Sequence, residues 1–190
     1  MTNNIYQIQI ALKEFKPKIW RRILVPSDLL LSDFHKIIQT TMGWTNSHLH
    51  EFNKDKLSYL KKSDNDLMWD DRYQIDYKGI KISDLLKDEK KKIFYEYDFG
   101  DGWSHEILLE KILPVDNKIK YPVCIKGKMN CPPEDCGGVW GYSDMLEILS
   151  QPNHEEHEEF IEAYGDDFDP EYFDKDEVNE LLREKNYGCW

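Results

Sequence analysis

No uncharged apolar run in this 190-residue chain approaches the roughly 18 residues a membrane span needs. The opening Met1-Thr-Asn-Asn-Ile-Tyr6 also lacks a basic stretch followed by an apolar one, so both export and membrane insertion are disfavoured. Cysteine is scarce. With no export signal, the four residues Cys124, Cys131, Cys136 and Cys189 are expected as thiols or metal ligands rather than disulfides, and the expected compartment is the cytoplasm. Only 10 Gly and 8 Pro exclude collagen-like and low-complexity classes, while 40% hydrophobic and 13% aromatic residues are enough for a core. The chain also has no phosphate loop, no G-x-S-x-G elbow and no dinucleotide fingerprint, so the enzyme classes that carry those motifs receive no support.

What the chain does have is unevenly placed charge. Its net charge of −12 divides sharply at Ser150: residues 1–150 hold 22 basic and 23 acidic side chains, whereas residues 151–190 hold 3 and 14. An acidic terminal segment repels phosphates and favours basic partners, and the balanced body leaves room for a local basic patch.

Periodicity supplies the elements. Ile5 to Ile10 alternates apolar and polar, and Ile19 to Val25 is β-rich, with Lys16-Pro17 between them: an opening β-hairpin. Ser32 is placed as a cap before Phe34, Ile37, Ile38 and Met42, which share one helical face, and Gly43 is the stop. Strands are expected at His48–Phe52 and Lys56–Leu60, a mobile loop at Lys61–Asp71, and a helical turn at Ser83–Lys87. Ile93–Asp98 and Trp103–Ile112 form a second hairpin across Phe99-Gly-Asp-Gly102. Tyr121–Gly141, with four Gly, three Pro and three Cys, reads as irregular loop. Three helices follow, one through Tyr142, Met145, Leu146 and Leu149, one capped by Asn153 and burying Phe160, Ile161 and Tyr164, and one begun by Asp174 with Glu177. The expected class is α+β, one domain over 1–190, with a sheet-rich body at 1–140 and a helical acidic segment at 141–190. A mixed or antiparallel sheet that opens hairpin-then-helix is β-grasp-like.

Five ordered phrases carry a resemblance: Pro17-Lys-Ile-Trp-Arg-Arg22, Gly43-Trp-Thr-Asn-Ser-His-Leu-His-Glu-Phe52, Tyr97-Asp-Phe-Gly-Asp-Gly-Trp-Ser-His105, Cys131-Pro-Pro-Glu-Asp-Cys-Gly-Gly138 and Phe168-Asp-Pro-Glu-Tyr-Phe-Asp174. From about Ile5 to Leu182 the chain resembles the plasmid pRiA4b ORF-3-like proteins. That resemblance implies a bacterial or archaeal accessory protein of plasmids or insertion elements, of α+β structure and without an established reaction. It carries over no catalytic residue.

Three constellations carry chemistry. Cys124, Cys131 and Cys136, with His105 upstream, supply three thiolates and an imidazole for a tetrahedral zinc site, although the six-residue gap between Cys124 and Cys131 is wider than zinc ribbons prefer. The competing readings are three small buried hydrophobes, or redox pairing of Cys131 with Cys136. Second, His48 and His50, two apart and so on one face of a strand, join Asp98, Asp101, His105, Glu134 and Asp135 as a divalent-metal or acid–base set, against the plainer reading that these acids satisfy turn amides and the histidines pair with them. The third group, Lys13, Lys16, Lys18, Arg21 and Arg22 with Trp20 and Trp44, would hold a nucleic acid if the cations formed one exposed stripe, and is otherwise a solvated sheet face. The leading functional expectation is an accessory or interaction module with an unknown protein partner, its Cys loop stapled by zinc. The alternatives are a metal-assisted hydrolase or nuclease-like enzyme and a DNA-binding accessory protein, and no membrane is expected as partner.

Overall fold

Alternation of side chains across a strand sorts this chain into two sheet faces. In the computed structural model, which describes residues 4–62, 70 and 72–189, β1 (Ile5–Leu12) and β2 (Trp20–Pro26) form the expected hairpin. Helix α1 (Leu31–Met42) follows, then β3 (His50–Lys54), β4 (Leu57–Leu60), β5 (Gln74–Asp76), the short α2 (Ile82–Leu85), β6 (Lys92–Tyr97), β7 (Trp103–Leu113) and β8 (Val123–Lys128). The chain closes with α3 (Gly138–Leu149), α4 (His157–Tyr164), α5 (Lys175–Leu181) and a 3-10 turn at Lys185–Gly188. The strands make one eight-stranded sheet in the order β5-β4-β3-β6-β7-β1-β2-β8, antiparallel except for the β4–β5 pair, so the class is α+β. The hairpin-then-helix opening that suggested a β-grasp is present, and beyond it the strand order is this sheet's own.

One face is apolar and covered. Tyr6, Ile8, Ile10 and Leu12 of β1, Ile23 and Val25 of β2, Tyr95 and Tyr97 of β6, and Trp103, Ile107 and Leu109 of β7 enter one cluster with Phe34, Ile37, Ile38 and Met42 of α1. Burying each such side chain contributes roughly 1.5–3 kcal/mol. The opposite face is polar: Arg22 makes a two-pronged bond with Glu110 at 2.6 Å, Gln7 donates to the same carboxylate, and Lys92 pairs with Glu106. Residues that follow one another on a strand point to opposite faces, which explains why Arg21 lies buried under the helices while Arg22 faces out.

Several local expectations change. The segment 121–141 is not wholly irregular, because Val123–Lys128 pairs with β2 as an edge strand; β2 supplies the partner for its backbone groups, which composition could not show. Ser32 lies inside the first turn of α1, with Leu30 at the cap and no side-chain cap bond, whereas Gly43 does end the helix with φ +96°. Glu156 rather than Asn153 precedes α4, which buries none of its residues fully. Asp174 caps α5 as expected, accepting from the amides of Asp176 and Glu177. The loop expected at Lys61–Asp71 falls largely on residues 63–69 and 71, outside the described residues. Among the described residues, no helix is long and apolar enough to cross a membrane.

Candidate metal centre

Three connecting segments meet at one end of the sheet: Trp44–Leu49 between α1 and β3, the turn Asp98–Gly102 between β6 and β7, and the loop Cys131–Gly137 before α3. Each is held by bonds its own sequence supplies. Asp98 adopts φ +56° and folds its turn with Oδ1, which accepts from the amides of Gly100 (3.0 Å) and Asp101 (3.4 Å). The Asp98 amide donates to the carbonyl of Leu49 at 2.9 Å, tying the turn to the first segment.

The third segment is latched onto the other two. Glu134 accepts from the Tyr97 hydroxyl, the Thr45 hydroxyl and the Thr45 amide, and the Trp44 indole donates to the carbonyl of Pro132 at 3.0 Å. Tyr97 in turn accepts from the amides of Ser47 and His48. Burial first, and then its bond to Glu134, hold the Tyr97 phenol well above its ordinary range, so it remains a proton donor to that carboxylate. Asp101 accepts from the Gly137 amide at 3.2 Å, and Gly138 sits so close to the Asp101 carbonyl that a Cβ there would lie 2.4 Å from its oxygen. Only glycine permits that approach.

His48 occupies the middle of this junction. Its Nδ1 lies 3.6 Å from Asp98 Oδ2 and its Nε2 lies 3.4 Å from Asp135 Oδ1, with the ring edge-on to Tyr97. These are ion-pair separations, longer than hydrogen bonds, and His48 Nε2 is covered yet has no hydrogen-bond partner. One ligand atom from each of His48, Asp98 and Asp135 falls within 4.8 Å of the other two, and this is the grouping of its kind among the described residues. Side-chain exposure rises from 11% at Asp98 through 26% at His48 to 76% at Asp135, so the set has a covered floor and one ligand at the surface. One imidazole nitrogen and two carboxylate oxygens suit zinc, manganese or ferrous iron.

The other expected site residues go elsewhere. His50 does not share a face with His48, because β3 begins only at His50 and the preceding residues turn toward the Asp98 hairpin. His50 instead stacks on His35 with ring centroids 3.4 Å apart and meets the Tyr77 hydroxyl at 3.0 Å. His35, which the sequence reading passed over, bonds Tyr95 and Asn46 through its two ring nitrogens. Desolvation lowers His35 to about 4 and His50 to about 3, which keeps both stacked rings neutral. His105 is fully buried on β7 with Nδ1 at the Trp103 carbonyl, lowered to about 4 by the same cause.

The cysteines are not gathered around His105. Cys124 is on β8, where its amide donates to Asn179 of α5 and its carbonyl accepts from the same side chain, while Cys131 and Cys136 are buried thiols in the loop. Burial pushes Cys124 up to about 11, Cys136 up to about 12 and Cys131 higher still, so their thiolate forms are disfavoured. Glu134 and Asp101 are present at the junction but spend their carboxylates on holding it together. Arg21 donates to the carbonyls of Thr41, Trp20 and Lys128 and lies over the Phe173 ring, so Arg21 and Arg22 do not form one exposed basic stripe. Thr45 and Tyr97 also belong to the junction, and the signal for them in the sequence is adjacency, Thr45 to Trp44 and Tyr97 to Asp98.

Fold and junction together define an α+β protein with an eight-stranded sheet and a His/carboxylate set where three connections meet. The family model described as "Plasmid pRiA4b ORF-3-like protein" matches residues 4–177, and the chain belongs to that family. It is 36% identical over 166 residues to the uncharacterized protein y4hQ of Sinorhizobium fredii (strain NBRC 101917 / NGR234), covering 87% of this chain and 83% of that one. It is also similar to the crystal structure of MM3350, a protein of unknown function from Methanosarcina mazei Go1. That likeness has a TM-score of 0.84 and 39% identity, over 94% of this chain and 99% of the other.

Proposed function

We propose that this chain is a divalent-cation-binding protein whose centre is His48, Asp98 and Asp135. The observation that supports it is the convergence of three ligand atoms, from three separate connecting segments, within 4.8 Å. Asp98 is anchored by its own turn, His48 is braced against Tyr97, and exposed Asp135 closes on an ion and leaves coordination positions open toward solvent. An ion there takes one nitrogen of His48 and an oxygen of each aspartate. It also ties the three segments together, so binding contributes to the stability of the junction. The cysteines offer a rival zinc set, but their ligand atoms are spread between β8 and the loop and form no such group among the described residues.

Elemental analysis of the untagged protein, followed by calorimetric titration of the metal-stripped protein with zinc and with manganese, tests this reading. About one ion per chain is expected, lost in both His48→Ala and Asp98→Asn and retained in Cys131→Ser. Loss in Cys131→Ser with retention in His48→Ala would overturn it in favour of the cysteine set, and no bound ion with no titration heat would remove both.

A further inference from the structure

Each segment of the junction also carries, at or next to it, one large apolar side chain that the fold leaves in water. Leu49 is 73% exposed, Phe99 48% and Trp140 83%. Backbone contacts link the segments that carry them. The Leu49 carbonyl accepts from the Asp98 amide, so Leu49 and Phe99 flank one main-chain contact. Trp140 lies in the first turn of α3, whose leading Gly138 presses on the carbonyl of Asp101 in the same turn as Phe99. Scattered surface leucines need no explanation, but a nearly free tryptophan and two more exposed apolar side chains carried by the segments of one junction are the composition of a contact patch.

The chain that follows the rim carries charge of one sign, while the β1–β2 turn, whose Phe15 packs on Tyr142 of α3, brings the exposed cations Lys16 and Lys18 to its other side. Between Lys128 and Lys175 the chain has no Lys or Arg and 14 Asp and Glu, all of them exposed except Glu134. Helix α4, which packs on α3, contributes Glu158, Glu159 and Glu162. Such a wall repels phosphates and attracts cationic chains.

We propose that Leu49, Phe99 and Trp140 are the apolar contacts of a docking surface for a Lys/Arg-rich segment of a partner protein. The partner's apolar side chains seat on the rim, its cations face the acidic 129–174 region, and an arginine lies over the Trp140 ring. This goes beyond cation binding and does not depend on it.

The probe is a short fluorescein-labelled arginine–leucine peptide, titrated by anisotropy against the full chain, with a serine-for-leucine peptide and a glutamate-for-arginine peptide as controls. Saturable binding is expected that weakens with salt, weakens roughly tenfold or more in Trp140→Ala, and is lost with either control peptide. Trp140 is so exposed that its substitution leaves the melting temperature unchanged, so lost binding reports the surface itself. Equal affinity for Trp140→Ala, or for the serine peptide, would overturn the proposal by leaving only diffuse charge. A Trp140-dependent dimer in sedimentation, or Trp140-dependent binding of a single-stranded oligonucleotide, would overturn it by naming a different occupant. Failure of peptide docking with cation binding intact leaves the metal reading standing, and retained docking in His48→Ala shows that the two are separate.

Discussion

His48 and the inner histidines are the same side chain put to opposite uses. His35 is buried between Tyr95, Asn46 and the face of His50, and His105 is enclosed on β7 beside Trp44 and Tyr95. Only two residues before His50, His48 lies between two carboxylates at the edge of the molecule. Inside, the protein supplies neutral hydroxyl, amide and carbonyl partners and excludes water, so the imidazoles are held neutral and serve as packing. Outside, the partners are anions, and the ring is available to a cation. Availability of a ligand is therefore set by what surrounds the imidazole, not by its neighbours in sequence.

The largest expected break in this contrast is on the packed side. Phe52 stacks on Phe34 and contacts Tyr95 and His50, so Phe52→Ala is expected to cost about 3–5 kcal/mol in urea unfolding. A loss below about 1 kcal/mol would show that the inner cluster is not tightly packed.

Acid comes next. The folded pKa values of His35 and His105, about 4, lie below the 6.5 of the unfolded chain, so the unfolded state binds the extra protons. Their contribution is fully present above pH 6.5 and is lost as pH falls from there through 4, on the order of 3 kcal/mol for each. The urea midpoint should drop between pH 7 and pH 4.5, and His105→Phe should flatten part of that drop; identical slopes in the two proteins would contradict the assignment.

A smaller effect sharpens the junction. Glu134→Ala removes the acceptor for Tyr97 and Thr45 and is expected to cost about 1–3 kcal/mol. A double-mutant cycle with Tyr97→Phe should return a coupling of about 1 kcal/mol, and additivity would dissolve the latch. The smallest stability effect is reserved for the centre itself. His48→Ala should change the stability of the metal-free protein by no more than about 0.5 kcal/mol, while abolishing its capacity to bind an ion. A large loss there would make His48 a packing residue like its inner counterparts.

Much of this was readable along the chain. The Phe34, Ile37, Ile38 and Met42 spacing marks α1, the Phe99-Gly-Asp-Gly102 turn marks the β6–β7 hairpin, and Asp174 marks the start of α5. His48, Asp98, Asp101, Glu134 and Asp135 were visible as one polar constellation. β8 was not, because an edge strand in a Gly- and Cys-bearing segment takes its order from the strand it pairs with. Nor was the separation of His48 from His50, since two-residue spacing places side chains on one face only where both residues are in the strand.

By itself the sequence determined most elements and their order, the acidic segment after Ser150 and the residue types available for chemistry, because periodicity, turn residues and charge are local properties. Tertiary structure decided which of those residues are ligands. It buried Arg21 and His105, stacked His50 on His35, withdrew Cys124 to β8, spent Glu134 on Tyr97 and Thr45, and left His48 with Asp98 and Asp135. The physical reason is that desolvation and the nearness of a charge depend on distances in space, and residues 48, 98 and 135 come together only when three connections of one sheet meet.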